Sequence, residues 1–170
     1  HYRRLASDLR ANGTAVVADL SGPLREAAAE GGLSVLKTSD EDLAADGLLD
    51  EPADEQSLVS VMREIAAGTD VERLVVTRGP RPTLALSRGE LLEASGPQIE
   101  AVDHRGAGDS VTSGITAGLC WGLPFAEALR VGGAAATLNV ARRGLATGRG
   151  DAIHALIDQV SVRRRHEELA

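Results

Sequence analysis

The chain has 170 residues, with 18 lysines and arginines against 25 aspartates and glutamates, a net charge of −7. Phe, Trp and Tyr together make up only 2% of it. Such a chain lacks the basic face of a phosphate-backbone binder and the stacking platform of a single-strand binder. The length fits one domain. An apolar share of 43% excludes a disordered chain. Ala, Leu, Val and Gly must fill the core. No apolar run is long enough to span a membrane, and no secretory leader is recognisable. The single cysteine, Cys120, makes no internal disulfide, so a reducing cytoplasm is the expected compartment.

The elements follow in chain order. Residues 2–12 carry Leu5 and Leu9 four apart, the spacing of one helical face, and Gly13 is a stop. Thr14–Asp19 reads as a short buried strand with Asp19 at its carboxyl end. Ser21-Gly22-Pro23 starts a helix over 24–31, and Leu33–Lys37 is a second strand. The acid-rich stretch 40–55 predicts a short helix and a solvated loop. Leu58, Val61, Met62 and Ile65 then give 56–67 a helical face. Arg73–Thr77 is a third strand. Thr83–Ser87, Glu90–Ala94 and Gln98–Asp103, separated by Arg-Gly and Gly-Pro turns, predict an antiparallel meander. Helices are predicted over 110–121, over 124–142 with Pro124 at the first turn, and over 151–160, with 161–170 a frayed charged tail. This alternation predicts an α/β fold in three layers, a mainly parallel sheet between helices with an antiparallel edge.

The sharpest local pattern is His104-Arg105-Gly106-Ala107-Gly108-Asp109-Ser110, between a predicted strand and a predicted helix. Glycines let the backbone bend and bring N–H groups close to a ligand. A helix start adds unpaired donors and partial positive charge. The result is an anion hole suited to a phosphoryl group. Asp109 stands at the same mouth, where a carboxylate can take a proton from an attacking hydroxyl. Spacing alone equally allows a tight turn with Asp109 as a helix cap, since the pattern is neither a Walker A loop nor a G-x-G-x-x-G fingerprint.

Residues 101–119, AVDHRGAGDSVTSGITAGL, resemble the C-terminal signature D-T-x-G-A-G-D-x-F-x-x-G of the ribokinase-like, PfkB carbohydrate kinases. Asp103, Gly106, Ala107, Gly108, Asp109 and Gly114 match it. The resemblance implies that Asp109 is the catalytic base and that the Gly106, Ala107 and Gly108 amides form the anion hole. Val16–Gly22 resembles the v-x-D-x-S-G strand end of the phosphofructokinase and tagatose-phosphate kinase branch. Lys37–Leu43 resembles the K-x-N/S-x-x-E-L segment, which implies Ser39 near the phosphates and Asp42 near Mg2+. Leu74–Gly79 resembles a nucleotide loop and implies Thr77, Arg78 and Gly79 at ATP. Ala134–Asn139 with Arg143-Gly144 resembles the helix lining an adenine pocket and implies Gly133, Ala136 and Asn139 there.

Several positions depart from that pattern. Asp42 stands where Glu is usual, Ser39 where Asn is common, Pro82 where a Gly is usual, and His104-Arg105 replace a Thr pair. Arg105 can supply charge to a phosphate or be a plain surface arginine. Lys37, the only lysine, is either a phosphate contact or a surface charge, and Asn139 either faces adenine or bonds within its helix. The four histidines, at 1, 104, 154 and 166, lack metal-ligand spacing. Cys120 beside Trp121 reads as buried packing, and Arg163–Arg165 as a solvated run.

The family's members are about twice this length, and their N-terminal half carries sugar contacts and a lid. The expectation is therefore a C-terminal nucleotide-binding and catalytic part of a sugar kinase, inactive alone. ATP and Mg2+ are the implied cofactors, a sugar or sugar phosphate the substrate, and a homodimer through the lid the implied assembly. A non-catalytic nucleotide-binding domain of the same fold, or a nucleoside or vitamin kinase, is the alternative.

Overall fold

A computed structural model describes residues 1–50, 54–144 and 148–165. The chain forms two compact units, His1–Leu91 and Leu92–Ala170. Among the described residues six strands, of mixed direction and with flanking helices, form an α/β fold.

The first unit runs α1 (Tyr2–Ala11), β1 (Val17–Asp19), α2 (Gly22–Gly31), β2 (Val35–Ser39), α3 (Asp40–Ala45), α4 (Glu55–Gly68), β3 (Arg73–Arg78) and β4 (Arg81–Ser87). β1, β2 and β3 are parallel neighbours, with Ala18 opposite Leu36 and Leu36 opposite Leu74. β4 returns antiparallel to β3. Val35–Thr38 is buried at every position, as expected of a strand covered on both faces. Its core is aliphatic: Leu36, Leu43, Met62, Val76 and Leu84 are all fully buried. On α4, Leu58 and Met62 are buried, and Val61 and Ile65 pack against them, as the spacing predicts.

The face of α1 differs from expectation. Leu5 is exposed, and the one buried residue is Ala6. The reason is the close approach of α2: a Cβ added at Gly31 would lie 2.8 Å from Ala6 Cβ and 2.3 Å from the Arg3 carbonyl oxygen. Two helices that close can meet only through small residues, so Ala6 turns inward and Leu5 turns out.

β5 (Glu90–Ser95) straddles the boundary between the units. The second unit continues with α5 (Ala107–Cys120), α6 (Phe125–Val140), α7 (Gly150–Ile157) and β6 (Ser161–Arg164). Two expectations fail here, for one reason. Residues 98–103 form no strand, and 161–164, expected to fray, do. β6 takes the place beside β5, pairing Ala94 with Val162. Buried Glu93 draws it there, accepting hydrogen bonds from Arg163 at 2.9 and 2.6 Å and pairing with Arg165. Arg163 and Arg165 thus supply the counter-charge of an interior carboxylate, while Arg163 and Arg164 remain exposed, as expected of a solvated run. Residues 166–170 of that expected tail lie outside the described residues.

α5 and α6 pack closely because both offer glycine at the contact. A Cβ on Gly114 would lie 2.7 Å from the Gly132 Cα. The buried face of α5 is Val111, Gly114, Ile115 and Gly118. Cys120 lies about 180° around the helix from Val111 and is exposed, contrary to the packing role expected of it.

Candidate functional site

The Gly-Ala-Gly-Asp segment sits at the start of α5. Gly106 caps the helix in the left-handed conformation, φ 74°, which favours a residue without Cβ. Its carbonyl accepts from the Ser110 N–H at 3.0 Å and the Ser110 hydroxyl at 2.8 Å. The Ala107 N–H bonds back to the His104 carbonyl at 3.3 Å. Among the described residues, the N–H groups of Gly108 and Asp109 find no acceptor. These are two of the unpaired donors every helix start leaves, at the positive end of the dipole. The Asp109 side chain is exposed at this mouth and makes no hydrogen bond or ion pair among the described residues.

The turn before the helix is tightly held. Arg105 donates its N–H to Asp103 Oδ1 at 3.1 Å, and its guanidinium grips the same carboxylate, Nη2 to Oδ2 at 2.7 Å. Arg105 holds the Asp103 carboxyl down to about 2, first through the side-chain hydrogen bond and then through its backbone. The charge expected to meet a phosphate is therefore clasped to its own loop. From α6, the buried Asn139 amide donates to the Arg105 carbonyl at 2.7 Å. Asn139 thus reaches a neighbouring loop, rather than bonding within its own helix.

Asp109 also borders a cavity of about 460 Å³ between α5, α6 and α7. From α5 it is lined by Asp109, Ser113 and Ala117, and from α6 by Val131, Ala135 and Asn139. Both sets are spaced by four, one face of each helix. Gly133 and Ala136, expected at the ligand, are not among these residues. Gly133 faces Val160, where an added Cβ would lie 2.9 Å from Cγ1. Counting by four from buried Asn139 reaches Ala135 and Val131, the cavity-lining stripe of α6, which Gly133 and Ala136 do not share. At the far end Trp121 stacks on His154, ring centroids 5.8 Å apart and planes 17° apart. Arg143 and Gly144, beyond α6, are exposed, and residues 145–147 lie outside the described residues.

In the first unit the expected residues are held by one another. Lys37 is buried and pairs with Asp19, Nζ to Oδ2 at 3.0 Å, so it is neither a surface charge nor an open phosphate contact. Ser39 caps α3, its hydroxyl accepting from the Asp42 N–H at 3.0 Å. The Ser39 N–H and hydroxyl both donate to Asp42 Oδ2, at 3.2 and 2.6 Å. This is a capping box with Asp in the place of Glu. Arg78 is buried, donating to the Pro82 carbonyl at 2.5 Å and to Glu55 at 2.7 Å. These bonds close the turn that carries exposed Gly79 at φ 56°. Pro82 lies inside β4. The Thr77 hydroxyl donates to the Thr38 carbonyl at 3.4 Å. Arg81, unremarked in the sequence, pairs with buried Asp40. Among the described residues no three of His, Cys, Asp or Glu cluster to hold a metal ion, and no helix is long and apolar enough to cross a membrane.

Comparison with known proteins is consistent across sequence and fold. The family profile "pfkB family carbohydrate kinase" matches residues 1–151. The chain is 29% identical over 146 residues to ATP-dependent 6-phosphofructokinase isozyme 2 of Escherichia coli, covering 82% of this chain and 46% of that protein. It is 31% identical over 94 residues to ribokinase of Haemophilus influenzae, covering 55% of this chain and 30% of that one. It also resembles the bifunctional protein HldE of Geotalea uraniireducens, 33% identical over 94 residues, covering 55% of this chain and 19% of that protein. The crystal structure of E. coli phosphofructokinase-2 with potassium superposes with a TM-score of 0.83 at 23% identity, covering 92% of this chain and 51% of that one. Arabidopsis thaliana ribokinase with ribose and ATP gives 0.80 at 21%, covering 92% and 51%. The chain thus spans about half the length or less of these relatives. The α/β fold, the Gly-Ala-Gly-Asp helix mouth and the match over residues 1–151 together place the chain in the pfkB family of carbohydrate kinases.

Proposed function

We propose that this chain is the nucleotide-binding and catalytic part of a kinase that transfers the γ-phosphoryl group of ATP to a hydroxyl of a sugar or sugar phosphate. The observation that carries this reading is the α5 mouth: two N–H donors and an exposed carboxylate side by side, none with a partner among the described residues. The donors would receive the negative charge of the transferring phosphoryl group. Asp109 would take the proton from the acceptor hydroxyl, whose oxygen forms the new bond to phosphorus as ADP leaves. The Gly108 and Asp109 amides serve this hole better than Ala107, whose N–H already has the His104 carbonyl.

Of the nucleotide contacts the resemblance suggests, Gly79 is exposed and Ser39 and Thr77 are half-buried and fit that role, while Arg105 would fit it only by giving up Asp103. Lys37 and Arg78 would fit it only by giving up Asp19 and Glu55. For Mg2+, the Asp42 Oδ2 is taken by Ser39, while Oδ1 makes no hydrogen bond among the described residues and can meet a hydrated ion through water. The ion would offset charge on the nucleotide's phosphates. A reducing cytoplasm and a homodimer built with the rest of the polypeptide belong to the same reading.

One observation favours a second reading, a nucleotide-binding domain without turnover: Asp42 already serves as the partner of Ser39. Full-length protein given ATP and Mg2+ with a panel of hexoses and hexose phosphates separates the two. The kinase reading expects sugar-dependent ADP release. ATP binding by calorimetry without ADP release for any sugar would favour the second.

A further inference from the structure

In a helix begun one turn earlier, the His104 and Arg105 carbonyls would accept from the Gly108 and Asp109 N–H groups, four residues on. Neither bond forms. The His104 carbonyl takes the Ala107 N–H at 3.3 Å, and the Arg105 carbonyl takes the Asn139 amide at 2.7 Å. The rest of the turn is held from the same side. Val102 and Asp103 both donate their N–H groups to the Val140 carbonyl, at 2.7 and 3.2 Å. The Arg105 N–H goes to Asp103 Oδ1 at 3.1 Å. The last turn of α6 therefore fixes residues 102–105 just before Gly106.

Asn139 is a poor choice for a helix interior, and a buried amide needs a partner. It is 4% exposed. Its partner is a carbonyl, which only accepts, so the NH2 group faces the loop. We infer that Asn139 is a positioning residue, not a ligand of the nucleotide base: it holds the Arg105 carbonyl off the helix axis and so keeps the Asp109 N–H free for a phosphoryl oxygen. This rests on the kinase reading of the α5 mouth.

The test compares ATP with adenosine, which has the base but no phosphates. Calorimetry on the full-length protein is run for the parent, Asn139→Leu and the isosteric Asn139→Asp. Both variants should bind ATP about tenfold more weakly or worse, the value of one hydrogen bond to a charged group, and adenosine as the parent does. Turnover should fall with the sugar KM unchanged. The aspartate, which sets a carboxylate against a carbonyl, should be the worse of the two. A parallel loss of ATP and adenosine affinity would make Asn139 a base ligand and overturn the inference, as would unchanged ATP affinity.

If the variants do not fold, amide hydrogen exchange on the parent decides. The Asp109 N–H should exchange fast without nucleotide and slow on adding ATP. Slow exchange without nucleotide would overturn the inference, and fast exchange that ATP leaves unchanged would do the same. A parent that binds neither ATP nor adenosine contradicts the nucleotide reading itself, while the nucleotide-free exchange rate still judges the loop.

Discussion

The charged loops of the first unit and the helix mouth of the second treat their polar groups in opposite ways. In the first, Lys37 faces Asp19, Arg78 faces Glu55, Arg81 faces Asp40 and Ser39 faces Asp42. In the second, the start of α5 leaves two amides and a carboxylate with no partner among the described residues. The residues that catch the eye in the first unit hold loops in shape. On the proposed reading, the chemistry of the second is left to backbone N–H groups and one aspartate. A charged side chain near a family motif is therefore weak evidence of a ligand contact until its partners are known. An unspent buried or half-buried donor is stronger evidence.

Removing a held partner should cost stability, and removing the unheld carboxylate should not. The largest effect is expected for Asp19→Asn, which strands Lys37 as a buried charge; the urea midpoint should fall by the equivalent of about 3 kcal/mol. Ser39→Ala removes the α3 cap and should cost about 1 kcal/mol in the same measurement. Asp109→Asn should shift the midpoint by no more than about 0.5 kcal/mol, since the side chain has no partner to lose among the described residues. A large shift there would break the contrast between the units.

The smallest effect is a titration. The folded pKa of Asp103 lies below its unfolded value, so its contribution is present above about pH 4 and is lost as the pH falls toward 2. The carboxyl resonance of Asp103 should titrate at about 2 in the parent. In Arg105→Ala it should return to the ordinary carboxylate range, about 4. An unmoved midpoint would mean that Arg105 is not what lowers it.

The sequence made the elements legible wherever local pattern and burial agree. The strands at 17–19, 35–39 and 73–78 read from short β-branched runs, and α4 from its four-residue face. The failures come from partners far along the chain. Nothing near Arg163 reveals that Glu93, seventy residues earlier, is buried and needs a counter-charge. Nothing near Leu5 reveals that Gly31 admits only Ala6. Residues 98–103 alternate like a strand, yet Pro97 precedes them, and the edge of β5 belongs to β6. The site divides the same way. The Gly-Ala-Gly-Asp turn at the start of α5 was legible because its geometry is local to four residues. The partners of Lys37, Arg78 and Asn139 were not, because each lies on another element.

The central claim is that Asp109 acts on the reaction and not on the structure. The direct measurement is ATP affinity and sugar-dependent ADP release in full-length Asp109→Asn, with the parent's substrate. The account predicts ATP binding within a few-fold of the parent and turnover lower by roughly 10²- to 10⁴-fold. Turnover near that of the parent would contradict it.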